Sequence, residues 1–74
     1  MVFPNIRNLR EDHDYRQRQL AEVLHVSQNT YSQYETGVIE LTAETLLLLA
    51  DFYNVSTDYL LGRTEDAAPF NPIK

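Results

Sequence analysis

The chain has 74 residues, about half the length of a typical domain, so it can form one small domain and a short tail. A composition with 43% hydrophobic and 23% charged residues is typical of folded soluble domains and excludes a disordered chain. The absence of cysteine excludes disulfides, thiol catalysis and thiolate metal sites. The longest apolar run, residues 46–50, is far shorter than the roughly 18 residues of a membrane span. We therefore expect a cytoplasmic binding module with no membrane partner.

Two short helices are predicted in the first third of the chain. Pro4 suits the first turn of a helix, which should end near residues 13–14 because Asp tolerates an irregular backbone. A second helix is predicted over residues 16–24, where Leu20 and Leu24 recur on one face. Both helices carry a single apolar face, as expected of helices that cover a small core.

Three further helices are each marked by a capping residue at the start and a turn residue at the end. The predicted N-caps are Ser27, Thr42 and Ser56, which precede helices over residues 28–36, 43–53 and 57–61. The predicted terminating residues are Gly37, Asn54 and Gly62. In the fourth helix, apolar residues at 46, 49, 50 and 53 predict the most buried face of the set. No segment shows strand alternation, so the fold class is all-α, with a domain over residues 1–62 and a tail over residues 63–74.

The second and third helices are predicted to form a helix-turn-helix. About three residues separate them, which is too few for an antiparallel pair, so the two helices must cross steeply. Ala21 is a small residue that lets the third helix approach closely at this crossing.

The third helix has two different faces when its residues are placed 100° apart on a helical wheel. Tyr31 and Tyr34 lie on one side, where we expect them to pack in the core. The opposite side carries uncharged polar side chains, which are Gln28, Asn29, Ser32 and Gln33. A solvated surface helix usually carries Lys and Glu instead. Gln and Asn can form paired hydrogen bonds with adenine, and Ser can contact several bases, so this face suits reading of base edges.

The pattern QxxLAxxLxVSxxTxSxYExG, residues 17–37, resembles the Xre/Cro-type helix-turn-helix of phage repressors and bacterial regulators. The segment ADFYNVSTDYLLGRT, residues 50–64, is similar to the end of that domain. The resemblance covers roughly residues 5–64. It implies a compact, five-helix, lambda-repressor-like fold that places its third helix in the major groove of double-stranded DNA. It also implies a homodimer on a palindromic operator.

The resemblance also implies roles for individual residues. The implied base readers are Gln28, Asn29, Ser32 and Gln33. Gln17 matches a glutamine that holds a phosphate and supports the reading helix, and Arg10 and Glu35 match a structural ion pair. For Arg7, Arg16 and Arg18, contact with a phosphate and plain solvation remain equally open.

Four positions depart from the family pattern. Arg16 replaces the usual Ser or Thr N-cap, and His25 replaces the common Gly or Asn of the turn. Val38 and Ile39 stand where Lys or Arg often follow the glycine. The apolar loop predicts either weaker DNA binding or packing against a second subunit, with Val38, Ile39 and Phe70 as the candidate dimer interface.

Two classes of function follow. The first is a sequence-specific DNA-binding transcriptional regulator, expected to act as a repressor, with modest and salt-sensitive binding. The alternative is a protein-interaction module, or an antitoxin-like partner protein, that retains the fold; the net charge of −5 favours it. No enzyme, cofactor or small-molecule substrate is expected. His13 and His25 lack a third ligand nearby in the sequence, so no metal site is expected either.

Overall fold

The computed structural model describes residues 1–68 and contains five α-helices in this range. In chain order they are α1 (Pro4–Asp12), α2 (Gln17–Leu24), α3 (Gln28–Thr36), α4 (Ala43–Tyr53) and α5 (Thr57–Leu60). No strand occurs within these residues. The predicted all-α, five-helix fold is therefore confirmed.

The ends of the helices follow from side-chain and backbone chemistry. The hydroxyl of each predicted N-cap accepts a backbone N–H from three residues further on, at 3.1 Å for Ser27, 3.1 Å for Thr42 and 3.0 Å for Ser56. Three helices end at a left-handed residue, with φ of 59° at His25, 80° at Gly37 and 56° at Asn54. His25 thus adopts the conformation that glycine or asparagine would otherwise supply.

The start of α2 differs from the other capped ends. Arg16 occupies the N-cap position, and its side chain makes no capping hydrogen bond. One of the two hydrogen bonds of a capping box is present, since Gln19 Oε1 accepts the Arg16 backbone N–H at 2.8 Å. The Arg16 backbone is therefore held in place, while the first N–H groups of α2 receive no side-chain cap.

The core lies between all five helices. Its buried apolar residues are Ile6, Leu9, Leu20, Ala21, Leu24, Tyr31, Tyr34, Leu49, Ala50, Tyr53, Val55 and Leu60. The prediction that both tyrosines of α3 face inward is confirmed, and Tyr31 is fully buried.

Three of the four residues predicted on the buried face of α4, Leu49, Ala50 and Tyr53, are buried, whereas Leu46 is partly buried and packs against the core. Thr45 is buried as well. The Thr45 hydroxyl lies 2.8 Å from that of Thr42, so its polar atom is hydrogen-bonded and the side chain can face the core.

Residues 63–68 make more contacts than a free tail would. The Ser56 N–H donates to the Ala67 carbonyl at 3.1 Å, and Ala67 packs partly buried against the core. These residues cover one edge of the domain. The remaining residues of the predicted tail, including Phe70, lie outside the described part of the chain.

We predict that Ala21→Leu destabilises the domain by about 1–3 kcal/mol, because an added side chain overpacks the contact between α2 and α3. Ala21 is 3% exposed. Ala43→Leu is the matched control, since Ala43 is an exposed residue in the first turn of α4. Thermal melts followed by circular dichroism compare the two variants. Equal midpoints would show that Ala21 does not limit the approach of α2 and α3.

Candidate nucleic-acid interface

A tight turn joins α2 to α3. The backbone N–H groups of His25 and Val26 donate to the carbonyls of Glu22 and Ala21 at 3.2 and 3.0 Å. Ser27 then caps α3 within the same short segment. The turn is held by its own backbone hydrogen bonds, so its geometry limits how α2 and α3 can cross.

A buried hydrogen-bonded network fixes how α3 is rotated about its axis. Glu35 is buried on the inner side of α3, and Arg10 of α1 donates two hydrogen bonds to its carboxylate, of 2.6 and 3.2 Å. Gln17 of α2 donates a third, from Nε2 to Glu35 Oε1 at 3.1 Å. The ion pair expected from the sequence is therefore present, and three helices meet at one carboxylate. Arg10 also donates to the Tyr15 carbonyl at 3.0 Å, which ties the loop before α2 to the same network.

Both members of the ion pair are charged at neutral pH. Burial alone would raise the pKa of Glu35, but the hydrogen bonds from Arg10 and Gln17 outweigh it and hold that pKa below its ordinary value. The hydrogen bond to Glu35 raises the pKa of Arg10. The Arg10 and Glu35 side chains are only 13% and 3% exposed, so little water screens their attraction.

The outer face of α3 carries the four predicted base readers. Gln28 and Asn29 are exposed, whereas Ser32 and Gln33 are half-buried. None of their side chains forms a hydrogen bond with another residue in the range 1–68. Their amide and hydroxyl groups are therefore free to bind a ligand.

Other amides of the same motif are already engaged. Gln17 donates to Glu35, and Gln19 accepts from the backbone of Arg16. The Gln17 side chain is half-buried and serves the network under α3, which matches the supporting role that the family resemblance implied. The structure thus separates the glutamines of α2, which hold the motif together, from those of α3.

Thr36 belongs to the outer face of α3 and was missed by the sequence analysis. It is exposed and lies eight positions after Gln28, which places it 80° around the helix, between Ser32 and Asn29. The helical wheel of residues 28–36 predicts this position from the sequence alone.

The arginines predicted to contact phosphate have different surroundings. Arg16 and Arg18 are exposed at the start of α2, beside its N–H groups that lack a side-chain cap. Arg7 lies on α1 and pairs with Glu11 at 3.2 Å, one turn along the same helix. Such an exposed pair contributes little to stability, so Arg7 can exchange this partner for another anion.

The loop after α3 exposes only one of its two apolar residues to solvent. Val38 is 68% exposed, whereas Ile39 is half-buried and packs against the core. The side chain of Val2 lies close to the loop, since a Cβ atom on Gly37 would be only 3.0 Å from Val2 Cγ2. Val38 is therefore an exposed apolar side chain directly after Gly37, which Val2 approaches. Phe70, the third predicted interface residue, lies outside the described residues.

Within residues 1–68, no helix has the length and hydrophobicity needed to cross a bilayer.

Comparison with known proteins places this motif in a family. The helix-turn-helix family model matches residues 6–60. Over 60 residues, the chain is 42% identical to the HTH-type transcriptional regulator ImmR of Bacillus subtilis, covering 81% of this chain and 47% of ImmR. Over 74 residues it is 32% identical to Antitoxin PezA of Streptococcus pneumoniae, covering all of this chain and 45% of PezA. The chain thus spans about half the length of these relatives.

A solved structure agrees in fold with the sequence matches. A transcriptional regulator from Listeria innocua superposes with a TM-score of 0.80 at 29% identity, covering 89% of this chain and 62% of that protein. The helix-turn-helix pattern, the five-helix fold and the match over residues 6–60 agree with one another. The chain therefore belongs to the Xre/Cro-type helix-turn-helix family.

Proposed function

We propose that this chain is the sequence-specific DNA-binding unit of a transcriptional regulator, a repressor, that inserts α3 into the major groove. The observation that carries the proposal is the row of unengaged amides on the outer face of α3, a helix whose rotation is fixed by a buried carboxylate bound to α1 and α2. A helix held in this way has a fixed backbone, from which Gln28, Asn29 and Gln33 project. Their amide groups can donate to and accept from the base edges of the major groove.

The start of α2 fits a role in binding the DNA backbone. Its first N–H groups have no side-chain cap, and a helix N-terminus of this kind attracts phosphate. Arg16 and Arg18 add two exposed cations at the same end. Since the chain as a whole carries a net charge of −5, cations concentrated near α2 would orient the domain on DNA.

Base reading by α3 predicts that Gln28→Ala and Gln33→Ala each weaken specific binding by about 1–3 kcal/mol and leave the fold intact. Selection from random duplex DNA first supplies the site, and fluorescence anisotropy then measures affinity. Asn8→Ala is the matched control, because Asn8 is an exposed amide on α1 outside the motif. Unchanged affinity in both glutamine variants, with native circular dichroism, would overturn the assignment of α3 as the reading helix.

A second candidate function is a protein-interaction module that keeps the fold. The exposed Val38 favours it, as does the similarity to a protein named as an antitoxin. The same selection separates the two functions. A DNA-binding regulator enriches one sequence, whereas an interaction module enriches none.

A further inference from the structure

The side chains of α3 that could form paired hydrogen bonds with bases are all amides. Residues 28–36 include three side-chain amides and no Arg or Lys. Paired hydrogen bonds to guanine come mainly from Arg or Lys, whereas Gln and Asn pair with the N6 amino group and N7 of adenine. If α3 reads bases as proposed above, its strongest contacts are therefore to adenine.

Such a contact depends on a hydrogen atom that a common DNA modification removes. The amide oxygen of Gln or Asn accepts the N6–H of adenine that points into the major groove, while the amide nitrogen donates to N7. In N6-methyladenine, the remaining N6–H pairs with thymine and the methyl group occupies the position of the other hydrogen. The amide oxygen then loses its donor and faces a methyl group.

The packing of α3 limits how far the helix itself can move away from this methyl group. Glu35 is bound by Arg10 and Gln17, and Tyr31 is fully buried, so the helix cannot roll without breaking buried contacts. The Ser27 hydroxyl is engaged too, since it donates to Thr30 Oγ1 at 3.0 Å and caps the helix. The helix that carries the amides is therefore held from both its start and its inner face.

We propose that N6-methylation of operator adenines prevents recognition by this protein, so that the methylation state of the DNA regulates its binding. The proposal rests on the proposed function of α3 as the reading helix. It assigns to Gln28, Asn29 and Gln33 a sensitivity to a modified base as well as to sequence.

The test uses the full chain and duplexes of the sequence obtained by selection. One set of duplexes carries N6-methyladenine at a single adenine each, and a control set carries 5-methylcytosine at single cytosines. Fluorescence anisotropy gives the dissociation constant for each duplex. We expect methylation of at least one adenine in the selected site to weaken binding about tenfold, the size of one good paired contact.

Variants connect the effect to particular side chains. In Gln28→Ala or Gln33→Ala, the methyl group at the adenine read by that glutamine should produce no further loss, whereas Asn8→Ala should retain the full effect. Equal binding of all methylated and unmethylated duplexes would overturn the inference while leaving the proposed function intact. Failure to select any sequence would overturn both.

Discussion

Arg10→Met is expected to destabilise the domain by about 3 kcal/mol at pH 7, because it leaves the buried Glu35 carboxylate without its cation. The Glu35 side chain is 3% exposed and would keep only the hydrogen bond from Gln17. Methionine fills much of the space of the arginine stem. Lost packing therefore contributes less to the destabilisation than the lost charge does. Urea denaturation monitored by circular dichroism measures the effect.

The pH dependence of stability tests whether the unpaired Glu35 carboxylate causes the destabilisation of Arg10→Met. In the native protein the pKa of Glu35 lies below its ordinary value of 4.5, so its stabilisation is present above that value and is lost as the pH falls through the lowered pKa. In Arg10→Met, burial dominates and raises the pKa of Glu35 above its ordinary value. The variant should therefore recover stability as the pH falls from 7 toward 4.5, and its deficit relative to the native protein should shrink.

A double variant serves as the control for this experiment. Arg10→Met with Glu35→Met removes both charges, and replacing a buried pair by apolar side chains is often close to neutral. The double variant should therefore be more stable at pH 7 than Arg10→Met alone. If the deficit of Arg10→Met were the same at both pH values, the unpaired carboxylate would not be its cause.

Scrambling one half of a symmetric binding site is expected to cost about 3 kcal/mol, roughly half of the 4–10 kcal/mol that separates specific from non-specific DNA binding. We propose that two chains bind one palindromic operator, as the family resemblance implies, and the expectation follows from this arrangement. A single α3 reaches only a few base pairs, so two chains related by a twofold axis are needed to define a site. Their reading helices should lie about 34 Å apart. Anisotropy on intact and half-scrambled duplexes measures the cost.

Sedimentation with the same duplexes tests the stoichiometry, which should be two chains per intact site. Val38→Glu probes the exposed apolar surface after α3, because two added carboxylates would repel each other across a twofold interface. It should reduce affinity for the intact site more than for the half-scrambled one. One chain per duplex at saturation, on a site without an inverted repeat, would rule out the symmetric arrangement.

Interactions between neighbouring residues, which the sequence specifies, determined where these helices begin and end. Ser27, Thr42 and Ser56 cap three helices, and Gly37 and Asn54 end two of them, because these effects involve only neighbouring residues. Helical periodicity likewise determined that the tyrosines of α3 turn inward while its amides turn outward. The same periodicity places Thr36 on the outer face.

Contacts between distant residues were decided only by the tertiary structure. Gln17 and Glu35 are 18 positions apart, and no local pattern shows that their hydrogen bond completes the network begun by Arg10. The same holds for Tyr15 and Phe52, which are far apart in the chain and whose ring centroids lie 5.3 Å apart.

Burial at single positions was also decided by packing. Val38 and Ile39 are adjacent apolar residues, yet the first is exposed and the second packs against the core. Thr45 is buried although the apolar periodicity of α4 did not include it. Periodicity identifies the face of a helix that turns inward, but the depth of each side chain depends on which neighbours the fold brings against it.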